Sequence, residues 1–214
     1  MSSSVSAYLA AYNFVQLLGW GFGLCLAVAP QNAAMKYSCE QVLQIFQTLA
    51  ILEVFHACLR FVRSAPMTTA IQISSRLLIL WGVLYMYPEV SVHVNFKKMM
   101  FVSWCLADFT RYLYYFLSTF TAVPRLLTIL RYSLFLVLYP TGITGEIALM
   151  WYSLSYAAPK PWINFPLPNI LNFGFGTYEL YLIFLLLYVP GSPVMYGHML
   201  AQRKKILGQK RKVV

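Results

Sequence analysis

The chain has 214 residues, 60% of them hydrophobic and only 10% charged, with a mean hydropathy of +0.64. A soluble globular domain carries roughly 25% charged residues, so this composition excludes a water-facing surface and marks an integral membrane protein. The net charge of +10 is concentrated at one end, where Arg203, Lys204, Lys205, Lys210, Arg211 and Lys212 supply six of the sixteen Lys and Arg residues. A basic tail after a membrane segment fits a cytoplasmic face and its anionic lipids. It does not suggest nucleic-acid binding, since no soluble domain remains to present a basic surface.

In chain order, residues Met1 to Ser6 carry no basic n-region, and no small-residue cleavage site follows. The first apolar run is therefore expected to stay as a span rather than leave as a signal peptide. Runs of about 20 apolar residues predict spans at about 8–30, 41–62, 71–88, 98–119, 124–153 and 173–193. The expected fold is an all-α polytopic membrane bundle of six helices. The fifth run is too long for one straight crossing and contains Pro140. It either kinks and continues or crosses and returns as a re-entrant piece, and splitting it would make a seventh crossing. Residues 1–202 form the membrane domain in this reading, and 203–214 a basic cytosolic tail. With six spans, Arg60, Arg63 and Arg125 share the side of the tail, and Lys36, Lys97, Lys98 and Lys160 fall opposite, as the positive-inside rule prefers. Lysines three and five positions from the end, Lys212 and Lys210, resemble a retrieval signal of endoplasmic-reticulum membrane proteins. Positive-inside bias alone also produces such tails. Cys25, Cys39, Cys58 and Cys105 are scattered, with no paired spacing, so neither a disulfide framework nor a metal site is expected.

Ionisable residues inside apolar runs are the chemical signal, because each costs roughly 2.5–3.5 kcal/mol at the helix centre on insertion scales. They are Glu53, His56, Arg76, Asp108, Arg111, Arg131, Glu146 and Glu179. Asp108 and Arg111, three apart, are placed to pair on one helix. Glu53 and Arg76, on successive spans, are expected to pair between helices, with His56 as a structural histidine. Gln72, Ser74 and Ser75 make the third span polar at its start, either as interhelical glue or facing a head group. Arg131 either snorkels to the interface or meets a phosphate or the ionised site. Glu179 is as well placed for the interface as for function.

The phrase Tyr139-Pro140-Thr141-Gly142-Ile143-Thr144-Gly145-Glu146 concentrates this signal. Seven residues is about 700° of helix rotation and about 10.5 Å of rise, so phenol and carboxylate share a face. The proline and glycines suggest an unwound stretch, which is tolerated at membrane depth only when buried in protein or lining a cavity. Two proton-handling groups in a dry site suit an elimination, one taking a proton beside a carbonyl and the other protonating a departing hydroxyl. The bland alternative is a kinked helix with a snorkelling Glu and an interface Tyr.

The stretch Leu130-Arg131-Tyr132-Ser133 through Tyr139 to Glu146 resembles the signature of the very-long-chain 3-hydroxyacyl-CoA dehydratases. This is the endoplasmic-reticulum family also labelled protein-tyrosine-phosphatase-like, and the likeness is to its plant PASTICCINO type. Further matches are Leu52-Glu53-Val54-Phe55-His56, Gln72-Ile73-Ser74-Ser75-Arg76, Tyr87-Pro88-Glu89-Val90, Pro168-Asn169-Ile170-Leu171-Asn172-Phe173 and Tyr188-Val189-Pro190-Gly191-Ser192-Pro193. The resemblance implies dehydration of a 3-hydroxyacyl-CoA to the trans-2-enoyl-CoA in fatty-acid elongation, without metal or other cofactor. It implies partnership with the condensing enzyme, the ketoacyl-CoA reductase and the enoyl-CoA reductase. The family's catalytic pair maps onto Tyr139 and Glu146, and its supporting polar positions onto Glu53, Gln72, Arg76, Arg111, Arg131 and Gly142.

The C2 proton of a thioester is weakly acidic, and a carboxylate gains basicity in low dielectric. Glu146 is therefore the expected base and Tyr139 the expected donor to the 3-hydroxyl; the reverse, with Arg131 assisting an ionised Tyr139, is chemically allowed. The rival reading is a catalytically silent acyl-CoA-binding or scaffold subunit of the elongation machinery. A channel or transporter is the weaker alternative, since there is no internal repeat and only one candidate broken helix. Cys105 and Arg111 have the Cys-x5-Arg spacing of a phosphatase loop. No glycine lies between them and the segment is mid-span, so phosphatase chemistry is not expected.

Overall fold

The computed structural model describes residues 3–29, 37–170 and 172–208. Lys36, Leu171 and the Lys210–Val214 signal lie outside the described residues. The chain folds into helices α1 (Ser3–Val28), α2 (Cys39–Leu49), α3 (Leu52–Cys58), α4 (Pro66–Leu77), α5 (Val94–Phe120), α6 (Arg125–Arg131), α7 (Phe135–Ala157) and α8 (Thr177–Leu207). A π-helical stretch, Leu78–Tyr85, prolongs α4, and a 3-10 turn, Pro88–Val92, leads into α5. Two short antiparallel strands, β1 (Asn164–Phe165) and β2 (Phe175–Gly176), close the connection between α7 and α8.

Among the described residues, five helical stretches are long and apolar enough to cross a membrane: Ser3–Val28, Cys39–Cys58, Pro66–Tyr85, Arg125–Ala157 and Thr177–Leu207. The span expected at 98–119 is α5, which carries Lys97, Lys98, Asp108 and Arg111. At 27 residues it is about 40 Å long, and it packs chiefly against α1 and α7 at the centre of the bundle. The molecule is therefore an all-α, multi-pass membrane bundle. α8 runs on to Leu207, so the expected boundary at 202 falls inside a helix.

The core is a continuous cluster built on Trp20, Leu43, Ile79, Leu80, Val83, Met100, Trp104, Tyr112, Leu149, Met150 and Tyr181. Its apolar surround faces lipid, as Val137, Leu186 and Val189 do at 65%, 70% and 72% exposure. Large buried phenols there find hydrogen-bond partners, as a medium without water requires. The Tyr181 hydroxyl donates to the Gly82 carbonyl in the π-helical stretch and accepts from the Trp162 indole at 3.0 Å. The Tyr87 hydroxyl reaches the Lys160 carbonyl at 2.8 Å.

The two ends of the bundle differ in charge. Tyr8 of α1 meets His56 at 2.9 Å, and Phe14 of α1 packs on Phe116 of α5, so Arg60, Arg63 and Arg125 fall at the α1 N-terminal end. Arg203 joins them through the Ser133 hydroxyl at 3.1 Å. Lys97, bridged to Glu40 at 3.6 Å, marks the opposite end.

The expected break at Pro140 is not present. α7 is continuous through it, and the interruption falls earlier, at 132–134, between α6 and α7. Hydroxyls hold the turns around the proline together. Thr141 donates to the Val137 carbonyl at 2.9 Å, Thr144 donates to the Pro140 carbonyl at 2.8 Å, and the Ser103 hydroxyl meets Thr141 at 2.8 Å from α5. Ser and Thr side chains are the usual means by which membrane helices carry an internal proline. Gly145 has a different purpose from the one its sequence suggests. A Cβ there would lie 2.6 Å from the Met100 Cβ and 2.9 Å from the Phe96 carbonyl oxygen, so this glycine lets α7 lie directly on the α5 backbone.

Candidate active site

Glu146 projects from α7 into the seam between α5 and α8 and is 7% exposed. Each carboxylate oxygen accepts one hydrogen bond. The Trp104 indole of α5 donates to Oε1 at 2.9 Å, and the Tyr188 hydroxyl of α8 donates to Oε2 at 2.5 Å. A carboxylate offers about four lone-pair sites, so acceptor capacity remains on both oxygens. Tyr139, two turns earlier, turns toward the same neighbour. Its hydroxyl donates to the Ser192 carbonyl of α8 at 3.2 Å, and its ring lies 5.8 Å from that of Tyr196. Both groups thus face α8, as the seven-residue spacing predicts.

Behind Glu146 runs a chain of charges. The Arg76 guanidinium lies 4.9 Å from the Trp104 ring centroid and binds Asp108. Asp108 also accepts from Arg111 Nε at 2.9 Å, and Arg111 reaches Glu53 at 2.7 Å. Tyr112 and Tyr12 donate to the same Glu53 carboxylate. Two acids and two guanidiniums therefore alternate with hydrogen bonds at every link, the condition under which buried charge is tolerated. The expected Asp108–Arg111 pair is present. The expected Glu53–Arg76 pair is not: each takes a partner from α5 instead, Glu53 binding Arg111 and Arg76 binding Asp108. The physical reason is that α5 presents both complementary charges, one turn apart, to the two side chains. His56 is held by Tyr8 and edge-on to Tyr12 at 4.9 Å, a structural histidine.

The remaining expected positions divide. Gly142 is buried beside Ser103 and Trp104, where an added Cβ would make an ordinary contact at 3.6 Å. Arg131 sits at the end of α6, its guanidinium 5.6 and 5.5 Å from the Tyr115 and Tyr132 rings, away from Glu146, and its Nε is buried without a partner. Gln72 is exposed on α4, one turn before Arg76. Glu179 caps α8, accepting from the Gly176 N–H at 2.8 Å. Cys105 and Arg111 both lie within continuous α5, Cys105 fully buried, which leaves no loop to cradle a phosphate. Among the described residues no group of His, Cys, Asp and Glu is arranged to hold a metal.

Two concavities lie away from Pro140. One, of about 620 Å³, opens at the α3–α4 junction beside Arg60 and Arg63; the other, of about 320 Å³, lies between α1 and α5. Neither borders Glu146. Trp104 and Tyr188 are the site residues that sequence reasoning missed. Trp104 stands four positions before Asp108, hence on its face, and Tyr188 opens a motif that the resemblance already covers.

Fold and site together define a multi-pass membrane protein with a buried acid and two phenols at one helical seam. Comparison with known proteins gives the family. A family model described as "Protein tyrosine phosphatase-like protein, PTPLA" matches residues 47–209, and the chain belongs to that family. It is 39% identical over 211 residues to the Caenorhabditis elegans very-long-chain (3R)-3-hydroxyacyl-CoA dehydratase hpo-8, covering 96% of each chain. It is 38% identical over 210 residues to the Arabidopsis thaliana dehydratase PASTICCINO 2, covering 96% of this chain and 95% of that one. It is 33% identical over 207 residues to the human very-long-chain (3R)-3-hydroxyacyl-CoA dehydratase 2, covering 94% and 81%. No solved structure matches.

Proposed function

We propose that this chain is a very-long-chain (3R)-3-hydroxyacyl-CoA dehydratase that forms the trans-2-enoyl-CoA during fatty-acid elongation. The observation that carries the reading is a buried carboxylate, Glu146, held from α5 and α8 with the Tyr139 hydroxyl turned to the same helix. In this reading Glu146 takes the C2 proton of the thioester. The C3–O bond breaks as Tyr139 gives its proton to the departing hydroxyl, and water leaves. Trp104 fixes the carboxylate, and the Arg76–Asp108–Arg111–Glu53 chain fixes Trp104 from behind. Such positioned acid–base pairs contribute about 10²–10⁴-fold to rate.

The substrate side of the reading places the protein in the endoplasmic-reticulum membrane, with both termini cytosolic and the end bearing Arg60, Arg63, Arg125 and Arg203 facing the cytosol. That orientation follows the excess of Lys and Arg at that end. The condensing enzyme and the two reductases of elongation are the partners it implies.

Cells lacking their own dehydratase test the reading. Growth should be restored by this chain and lost again with Tyr139→Phe or Glu146→Gln. Growth kept by both variants would favour the silent scaffold instead. The roles separate on purified protein: Glu146→Gln should abolish exchange of the substrate's C2 proton, and Tyr139→Phe should spare that exchange while stopping loss of the hydroxyl.

A further inference from the structure

Resting on the dehydratase reading, elimination leaves the catalytic pair in the wrong protonation states. Glu146 then carries the proton taken from C2, and Tyr139 has lost its own to the departing water. Before a second turnover one proton must leave Glu146 and one must reach Tyr139.

Glu146 is almost wholly removed from solvent, and the protein caps both of its oxygens. Its two partners are not equivalent. The Trp104 indole is a donor only and accepts no proton, whereas a phenol both donates and accepts. Tyr188 sits at 2.5 Å from Oε2. The same face of α8 presents the Ser192 carbonyl to Tyr139 one turn further on. α8 therefore meets both members of the pair, at Tyr188 and at Ser192.

We propose that Tyr188 is a proton-relay residue, the group through which the proton held by Glu146 leaves and the catalytic pair is reset. The Tyr188 oxygen accepts the proton from Glu146 Oε2 as the Tyr188 hydroxyl proton passes toward the Tyr139 phenolate. Glu146 ends ionised, Tyr139 and Tyr188 neutral, and no outside oxidant or co-reactant is consumed. Among the described residues, Tyr188 from α8 bonds Glu146 directly, Arg76 from α4 lies over the Trp104 ring, and Tyr139 stands two turns earlier on α7. Arg76 is bound to Asp108, which leaves the two phenols for proton transfer.

The test is rapid-quench kinetics on the full-length protein in detergent, with a very-long-chain 3-hydroxyacyl-CoA. Tyr188→Phe keeps the ring and removes the relay. It should slow the second and later turnovers about 10²-fold more than it slows the first, the low side of what a proton-transfer group contributes. A purely structural Tyr188 would slow the first and later turnovers alike, and that result, or no change in either, overturns the relay. The unaltered protein gives an independent reading should the variant fail to fold. Deuterated water should slow its steady-state turnover by a larger factor than its first turnover, and equal factors overturn the proposal. Absence of any enoyl-CoA from the unaltered protein would instead refute the dehydratase reading itself.

Discussion

α5 and α8 both touch Glu146, yet they are built in opposite ways. α5 is central, buries Met100, Trp104, Cys105, Asp108 and Tyr112, and carries the charges that tie α3 and α4 to the bundle. α8 is peripheral. Among its described residues only Thr177 and Tyr181 are buried, both at its beginning, and it contains Pro190 and Pro193. Each proline removes a backbone donor and a helical hydrogen bond, so the part of α8 that supplies Tyr188 and Ser192 is the less tightly held. One side of the carboxylate is thus a fixed wall and the other an adjustable one. Changes to the charges of α5 should appear first as lost stability, and changes to either donor that holds Glu146 as lost turnover.

Asp108→Asn should give the largest effect. It leaves Arg76 and Arg111 facing each other without their shared anion, and uncompensating a buried pair costs about 3–5 kcal/mol. Thermal unfolding in detergent measures it, and an unchanged midpoint would show that α5 is not the wall. Trp104→Phe keeps the ring over which Arg76 lies but removes the donor to Glu146. A hydrogen bond to a charged group is worth about 1.5–3 kcal/mol, so turnover should drop more than ten-fold. Gly145→Ala forces a methyl against Met100 and the Phe96 carbonyl and should cost about 1–3 kcal/mol of stability, as overpacking does. Gly142→Ala, where contacts are ordinary, should unfold at nearly the parent temperature. Gln72→Ala should change stability by no more than about 0.5 kcal/mol, since surface substitutions rarely do more. A large loss of activity there, with stability kept, would instead assign Gln72 to the site.

The helices themselves were legible because runs such as 8–30 and 173–193 are long, apolar and bounded by polar turns. The two-turn spacing also placed Tyr139 and Glu146 on one face correctly. What could not be read was rotation. Sequence order shows that the helices of Glu53 and Arg76 are neighbours in the chain, but not that α5 inserts Asp108 and Arg111 between their side chains. Pro140 misled for a related reason. Whether a proline breaks a membrane helix depends on hydroxyls nearby, and Thr141, Thr144 and Ser103 supply them here. Trp104 and Tyr188 escaped notice because aromatic residues make up 17% of the chain, which leaves a single ring no distinction until its hydrogen bond is seen.

Two of the four cysteines are exposed, Cys58 at the end of α3 and Cys25 near the end of α1, while Cys39 and Cys105 are buried. Cys58 lies near His56, which meets Tyr8, and Cys25 is about 26 Å further along α1 at 1.5 Å per residue. The chain thus carries one thiol not covered by protein toward each end of the bundle. In sealed vesicles, a maleimide that does not cross lipid would label one before the other, and the order would reveal which compartment the arginine-rich end faces without adding a single tag.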